Sequence, residues 1–189
     1  TNGGDLEIRV PNYWGRANLK FSDGHEEIIL GPAKEVVAAV TVDSIAKDKD
    51  RIGPSITITR MQRDTFKDLI DIQILDIADS LLADYVARMS EAGRTLTMGE
   101  REDGTLGTRT VISVPFEEKR SSGTQYKGRA VFMMHRGSLV VVTASHPVEH
   151  FDEGWPDIAK AFDTLVFTGA PEAAPGTPDK PDGGTPPPE

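Results

Sequence analysis

Four consecutive apolar residues, Leu139-Val140-Val141-Val142, constrain this chain more than any other feature. The run is too short for a helix. Its side chains leave a strand on alternating faces, so it needs apolar cover on both sides of a sheet. Before it, Tyr126 to His135 is rich in β-favouring residues, and Arg136-Gly137 is a turn signal because a two-residue hairpin loop demands positive φ. After it, His146-Pro147 stops the Ser138–Ser145 strand, since Pro brings no N–H to a ladder. Trp155, Ile158, Ala159, Phe162, Leu165 and Val166 then recur at helical spacing, which predicts a helix from about Asp152 to Thr164. A central hairpin capped by an amphipathic helix is an α+β core.

The rest of the chain supplies further strands and one more helix. Asp5 to Val10 alternates and reads as a half-buried strand ended by Pro11-Asn12, with Trp14 packing back on the core. Ala17 to Phe21 and Glu26 to Leu30 are strands joined through Ser22-Asp23-Gly24. Val36 to Val42 and Ser55 to Met61 are strands, and Lys47-Asp48-Lys49-Asp50 is a solvated loop tip. Thr65 to Leu75 suits either an extended segment, through Ile70, Ile72 and Ile74, or a helix, through Phe66, Leu69 and Ile70. Ile77, Leu81, Leu82, Tyr85, Val86 and Met89 form the stripe of a helix from about Asp76 to Ala92, with Asp76 as N-cap and Gly93 just past the end. Asp79 in its first turn and Arg88 near its end complement the dipole. Arg94–Glu100 and Thr105–Val114 read as strands joined at Arg101–Gly104, and Phe116–Thr124 as a polar loop.

The expected architecture is therefore a twisted antiparallel sheet covered by two main helices, one domain over residues 1–169. Residues 170–189 are dominated by Pro, Gly, Ala, Thr and acids and end Pro186-Pro187-Pro188-Glu189. They have almost nothing to bury, which predicts a disordered tail with polyproline II character, a spacer if it has a role.

Composition narrows the function. With 21 Lys and Arg against 30 Asp and Glu, the net charge is −9, which gives no electrostatic reason to bind nucleic acid or an anionic membrane surface. No apolar stretch approaches the roughly 20 residues of a membrane helix. There is no cysteine, hence no disulfide and no thiolate zinc site. The start at Thr1, without Met, fits a removed leader or a trimmed start; a lipoprotein leader would place its Cys just before Thr1.

No catalytic set stands out. His146, His150 and Asp152, with Glu149 and Glu153 beside them, combine imidazole and carboxylate and are the candidates for a divalent metal. Pro147 between the two histidines breaks a regular helical pair, and no third ligand has a place. The simpler reading is a polar loop whose acids complement the start of the last helix. Ser145, His146 and Asp152 have the residue types of a hydrolase triad, but sequence neighbours seldom meet in triad geometry, and no Gly-x-Ser-x-Gly elbow exists. Asp103-Gly104-Thr105-Leu106-Gly107 lacks the Lys-Ser/Thr of a phosphate-binding loop and reads as a hairpin turn. Asp68, Asp71, Asp76, Asp79 and Asp84 lack the spacing of a calcium loop. No cofactor is called for.

Several segments resemble the PsbP-like/Mog-type fold and, within it, the bacterial LpqN- and DcrB-like envelope proteins. Leu6 to Trp14 is similar to the family's opening strand, Pro and Trp. Pro54 to Arg60 resembles its strand before the first helix, and Leu82-Ala83-Asp84-Tyr85-Val86 resembles that helix. Leu139 to Ser145, followed by Phe151, Trp155 and Phe162, resembles its last strand and helix. The resemblance spans most of residues 5–168. It implies a noncatalytic protein, an envelope-associated or secreted accessory protein or lipoprotein that binds a protein partner or a small ligand. The alternative it implies is a cytoplasmic DcrB-like adaptor chaperone for apolar helices of a secreted effector. It carries over no catalytic residues.

Overall fold

The computed structural model describes residues 6–20, 25–32, 53–62, 66, 69 and 71–167, with backbone alone at 71 and 72. The expected strand Val36–Val42, the loop tip Lys47–Asp50, the turn Ser22–Gly24 and the tail 170–189 lie outside them.

In chain order the elements are β1 (Leu6–Glu7), β2 (Gly15–Lys20), β3 (Glu26–Gly31), β4 (Ser55–Gln62), a 3₁₀ turn (Asp71–Ile74) and α1 (Ala78–Glu91). There follow β5 (Thr95–Met98), β6 (Glu102–Leu106), β7 (Arg109–Lys119), β8 (Gln125–His135) and β9 (Ser138–Pro147). A second 3₁₀ turn (Val148–His150), α2 (Phe151–Phe162) and β10 (Val166–Phe167) complete the described chain. Eight strands form one antiparallel sheet in the order β2-β3-β4-β9-β8-β7-β5, with β6 also paired to β7. A short ribbon joins β1 to β10.

The Leu139–Val142 strand lies in the middle of the sheet, as its two-sided apolarity requires. Val140 and Val142 face a core with Trp14, Ile56, Ile158, Ala161 and Phe162, closed by α2. Leu139 and Val141 face a second core with Ile112, Phe132, Met134, Ala78 and Leu81, closed by α1. The β8–β9 hairpin turns at Arg136-Gly137, both at positive φ (49° and 62°), the turn whose twist matches the strands.

Several boundaries differ from expectation. Asp76 does not cap α1. The 3₁₀ turn takes up Ile74, and short-range bonds from the Asp76 N–H to the Gln73 carbonyl and from Ala78 to Leu75 continue it. The helical ladder opens only at Leu81 N–H to Ile77 O, so Ile77 holds the cap position without a side-chain bond. The far end is as expected: Gly93 N–H bonds Ser90 O and Arg94 N–H bonds Met89 O, the paired bonds of a Schellman motif.

The expected hairpin at Arg101–Gly104 is displaced, because Asp103 and Gly104 lie inside β6 and pair with Ile112 and Val111. The turn falls at Gly107-Thr108, where Gly107 has φ 62° and its Cα lies against the Phe167 carbonyl, leaving no room for a side chain. Phe116–Lys119, expected as loop, extends β7 and pairs with β5. Phe116 and Glu118 point inward and Glu117 and Lys119 outward, a strand alternation disguised by charge. The loop proper is confined to Arg120–Thr124, closed by the Arg120 N–H on the Thr124 carbonyl.

Helix α2 ends at Phe162, two residues short of expectation. Leu165 is buried in a turn after it, and Val166 and Phe167 pair with β1. The N-terminal strand is correspondingly short, Leu6–Glu7, with Ile8 and Val10 packed on the α2 core without pairing. Pro156 sits inside α2 on its exposed side, where the carbonyl it leaves without an amide partner can meet water.

Candidate functional site

The site grows out of one strand. Ser55-Ile56-Thr57-Ile58-Thr59 alternates, so Ile56 and Ile58 enter the α2 side while Ser55, Thr57 and Thr59 face the other. Register places Thr57 beside Thr143, and Ser55 beside Ser145, whose hydroxyl oxygens lie 3.4 Å apart. On the α1 side the sheet is thus apolar under the helix and hydroxyl-lined beyond it. Between the two lies a cavity of about 470 Å³, its floor formed by these Ser and Thr residues and one wall by Tyr85, Arg88 and Met89 of α1.

The remaining walls are charged. From β3 comes Glu27 and from just before it His25, with Nε2 3.8 Å from Oε1. At the other end Glu118 lies between two guanidinium groups, 2.8 Å from Arg120 Nε and 3.7 Å from Arg94 Nη1. Arg120 is held further by the Tyr126 ring, 4.0 Å from its guanidinium carbon, a cation–π contact largely shielded from water. Arg88 is tied to Asp84 at 3.1 Å one helical turn back.

Tyr85 lines the same cavity, its ring edge-on to Phe132 at 5.2 Å. Burial pushes its phenol pKa well up; the Glu118 and Glu27 carboxylates push the same way, and Arg94 opposes them. The Tyr85 hydroxyl therefore stays neutral and able to donate across the physiological range. The set of side chains offers donors, acceptors and both signs of charge around one part-open cleft.

The metal candidates lie elsewhere, on the α2 side and at the start of that helix. His146 is buried; its Nδ1–H donates to the Pro147 carbonyl at 2.8 Å and its Nε2 edge lies against Gly154. His150 is exposed, 3.9 Å from Glu153, and Asp152 is exposed beside it. Among the described residues no three His, Cys, Asp or Glu side chains gather in one place. Ser145 and His146, adjacent on β9, leave the strand on opposite faces: Ser145 reaches the cavity floor and His146 packs under α2.

Of the cavity residues, the sequence singled out Ser145 alone as a site residue, and that for a triad whose other members lie on the α2 side. The available signal was the polar row Ser55, Thr57, Thr59 on a strand whose other face opens with Ile56 and Ile58. The same pattern describes an ordinary solvent-facing strand. Glu118 and Arg120 were hidden in the apparent loop.

The fold is that of PsbP. The chain overlays cyanobacterial PsbP from Synechocystis with a TM-score of 0.53 at 11% identity, over 88% of this chain and 97% of that one. Looser overlays are with LpqN of Mycobacterium tuberculosis, a protein involved in cell envelope biogenesis (TM-score 0.46, 13% identity, 87% and 83% of the two chains), and with a Pseudomonas aeruginosa protein of unknown function (0.43, 15%, 88% and 100%). No protein-family model matches the chain, and no curated protein sequence matches it. Among the described residues no helix is long and apolar enough to cross a membrane.

Proposed function

We propose that this chain is a noncatalytic accessory protein that acts by binding, and that the cavity between α1 and the hydroxyl-lined part of the sheet is where it binds a small polar ligand. The observation that carries this reading is the row of hydroxyls on an interior strand, walled on one side by α1 and bounded by ion pairs that are mostly shielded from water. Clefts with a few convergent polar groups are the usual form of a ligand site. Placement in the cell envelope belongs to the same reading and rests on the sequence resemblance. Fractionation of the native host tests it: recovery of the protein wholly from the cytoplasm would replace it with a cytoplasmic role.

The chaperone alternative needs an exposed apolar groove. Among the described residues the exposed large hydrophobic side chain is Tyr13, and the cavity floor is polar, which weighs toward a small ligand.

The test is enrichment of small molecules from an extract of the host, read by mass spectrometry. Thr59→Val with Thr143→Val serves as control, because both changes keep the shape and strand preference and remove only hydroxyls. The unaltered protein is expected to enrich at least one compound that the double variant does not. Equal recovery by the two proteins, or no enrichment at all, would count against the cavity as a binding site.

A further inference from the structure

We infer that Met61 is a site of reversible oxidation: its thioether takes one oxygen atom from a peroxide, and the resulting sulfoxide accepts a hydrogen bond from Arg88. The chain has five methionines, and packing divides them. Met133 and Met134 are fully buried in the sheet. Met98 is half-buried against the α1 core, outside the cavity lining. Met61 on β4 and Met89 on α1 are half-buried and open onto the cavity, where a small oxidant can reach them. Among the described residues, Met61 is the methionine whose sulfur has a donor against it, Arg88 Nη1 at 3.9 Å. Arg88 is aimed there by its other end, since its Nε–H donates to Asp84 at 3.1 Å one helical turn back.

The contact acts on both the reaction and its product. A sulfur lone pair attacks the peroxide, so an S–O bond forms and the O–O bond breaks. The departing oxygen takes the proton of the transferred one and leaves as water. Sulfur is oxidised by two electrons and the peroxide reduced by two. An N–H beside the sulfur donates to the departing oxygen as it gains negative charge, which speeds the step. In the product, the 3.9 Å between sulfur and Nη1 has room for an oxygen bonded to the sulfur that accepts from Nη1 at an ordinary distance of about 2.9 Å. Because the guanidinium faces one side of the sulfur, one sulfoxide epimer forms. A flexible apolar wall residue thereby becomes polar, and Arg88 then ties α1 to β4 across the cavity. The site stands whatever the cavity binds.

The full chain is exposed at neutral pH to dilute hydrogen peroxide, and oxidation is followed in time by peptide mapping with mass spectrometry. Met61 sulfoxide is expected to form several-fold faster than that of Met89 or Met98, with Met133 and Met134 last. The oxidised chain is then unfolded, digested and treated with each of the two epimer-specific sulfoxide reductases alone. One of them is expected to clear nearly all of the Met61 sulfoxide, and the other almost none. Sulfoxide made from free methionine, a mixture of both epimers, is the control. Arg88→Gln should remove the lead of Met61 over Met89 and let both epimers form. Rates and epimers are read first on unaltered protein, so the outcome does not depend on the variant folding. Met61 oxidised no faster than Met89, an even mixture of epimers, or an undiminished lead in Arg88→Gln would overturn the inference. None of these results bears on the extract experiment, which tests the cavity separately.

Discussion

His146 and Gly154 illustrate how one side chain fixes how closely α2 approaches the sheet. A Cβ built at Gly154 would overlap the imidazole ring, so glycine here lets the helix settle against β9. Gly154→Ala is expected to destabilise the protein by about 1–3 kcal/mol through overpacking. Adding His146→Ala should return part of that loss, a non-additivity read from denaturant midpoints of the two single variants and the double. Simple addition of the two effects would mean that the contact does not matter.

Tyr85 makes a prediction of the opposite kind, one of pH. Its folded pKa lies above the ordinary value of about 10. Above that pH the unfolded chain releases the phenol proton while the folded chain retains it, so stability falls as pH rises. The contribution is complete below about pH 10 and is lost above it. Unfolding between pH 8 and 11 should show a downward slope that is shallower in Tyr85→Phe; parallel curves would place the phenol in water.

Among the elements, α2 and β7 hold the main lessons. Helix α2 buries Ile158, Ala161 and Phe162 against Val140, Val142 and Ile56. Phe162→Ala is expected to cost about 3–5 kcal/mol. An unchanged melting temperature in that variant would show that the helix packs elsewhere. The register of α2 was readable because six apolar residues share one period. Its end was not, because Leu165 and Val166 continue that period in sequence while in space the chain has left the helix and Val166 pairs with β1. Strand β7 failed for a different reason. Glu117, Glu118 and Lys119 look like loop, and only the pairing of Lys119 with Thr95 and the Arg94 and Arg120 charges around Glu118 make an inward carboxylate tolerable there.

At the scale of the molecule, one sheet serves two cores, so neither side can come apart alone. Both tryptophans, Trp14 and Trp155, belong to or pack on the α2 core. Val141→Ala, on the α1 side, is expected to lower the midpoint read by tryptophan fluorescence as far as that read by far-ultraviolet circular dichroism. A fluorescence midpoint that stays put would mean that the two faces unfold independently.

The central hairpin, its turn, the doubly covered strand and the apolar stripes of both helices were legible in the chain itself, because each is written by short-range periodicity and by the φ demands of a glycine. The cavity was not. Ser55, Thr57 and Thr59 have the pattern of a strand facing water, and Arg94, Glu118, Arg120, Glu27 and Tyr85 are scattered over some ninety positions. Only the packing of α1 on the neighbouring part of the sheet turns a polar strand face into the floor of a cleft and gathers those charges around it. Pairing across long sequence separations is a matter of register and packing, and no local pattern encodes it.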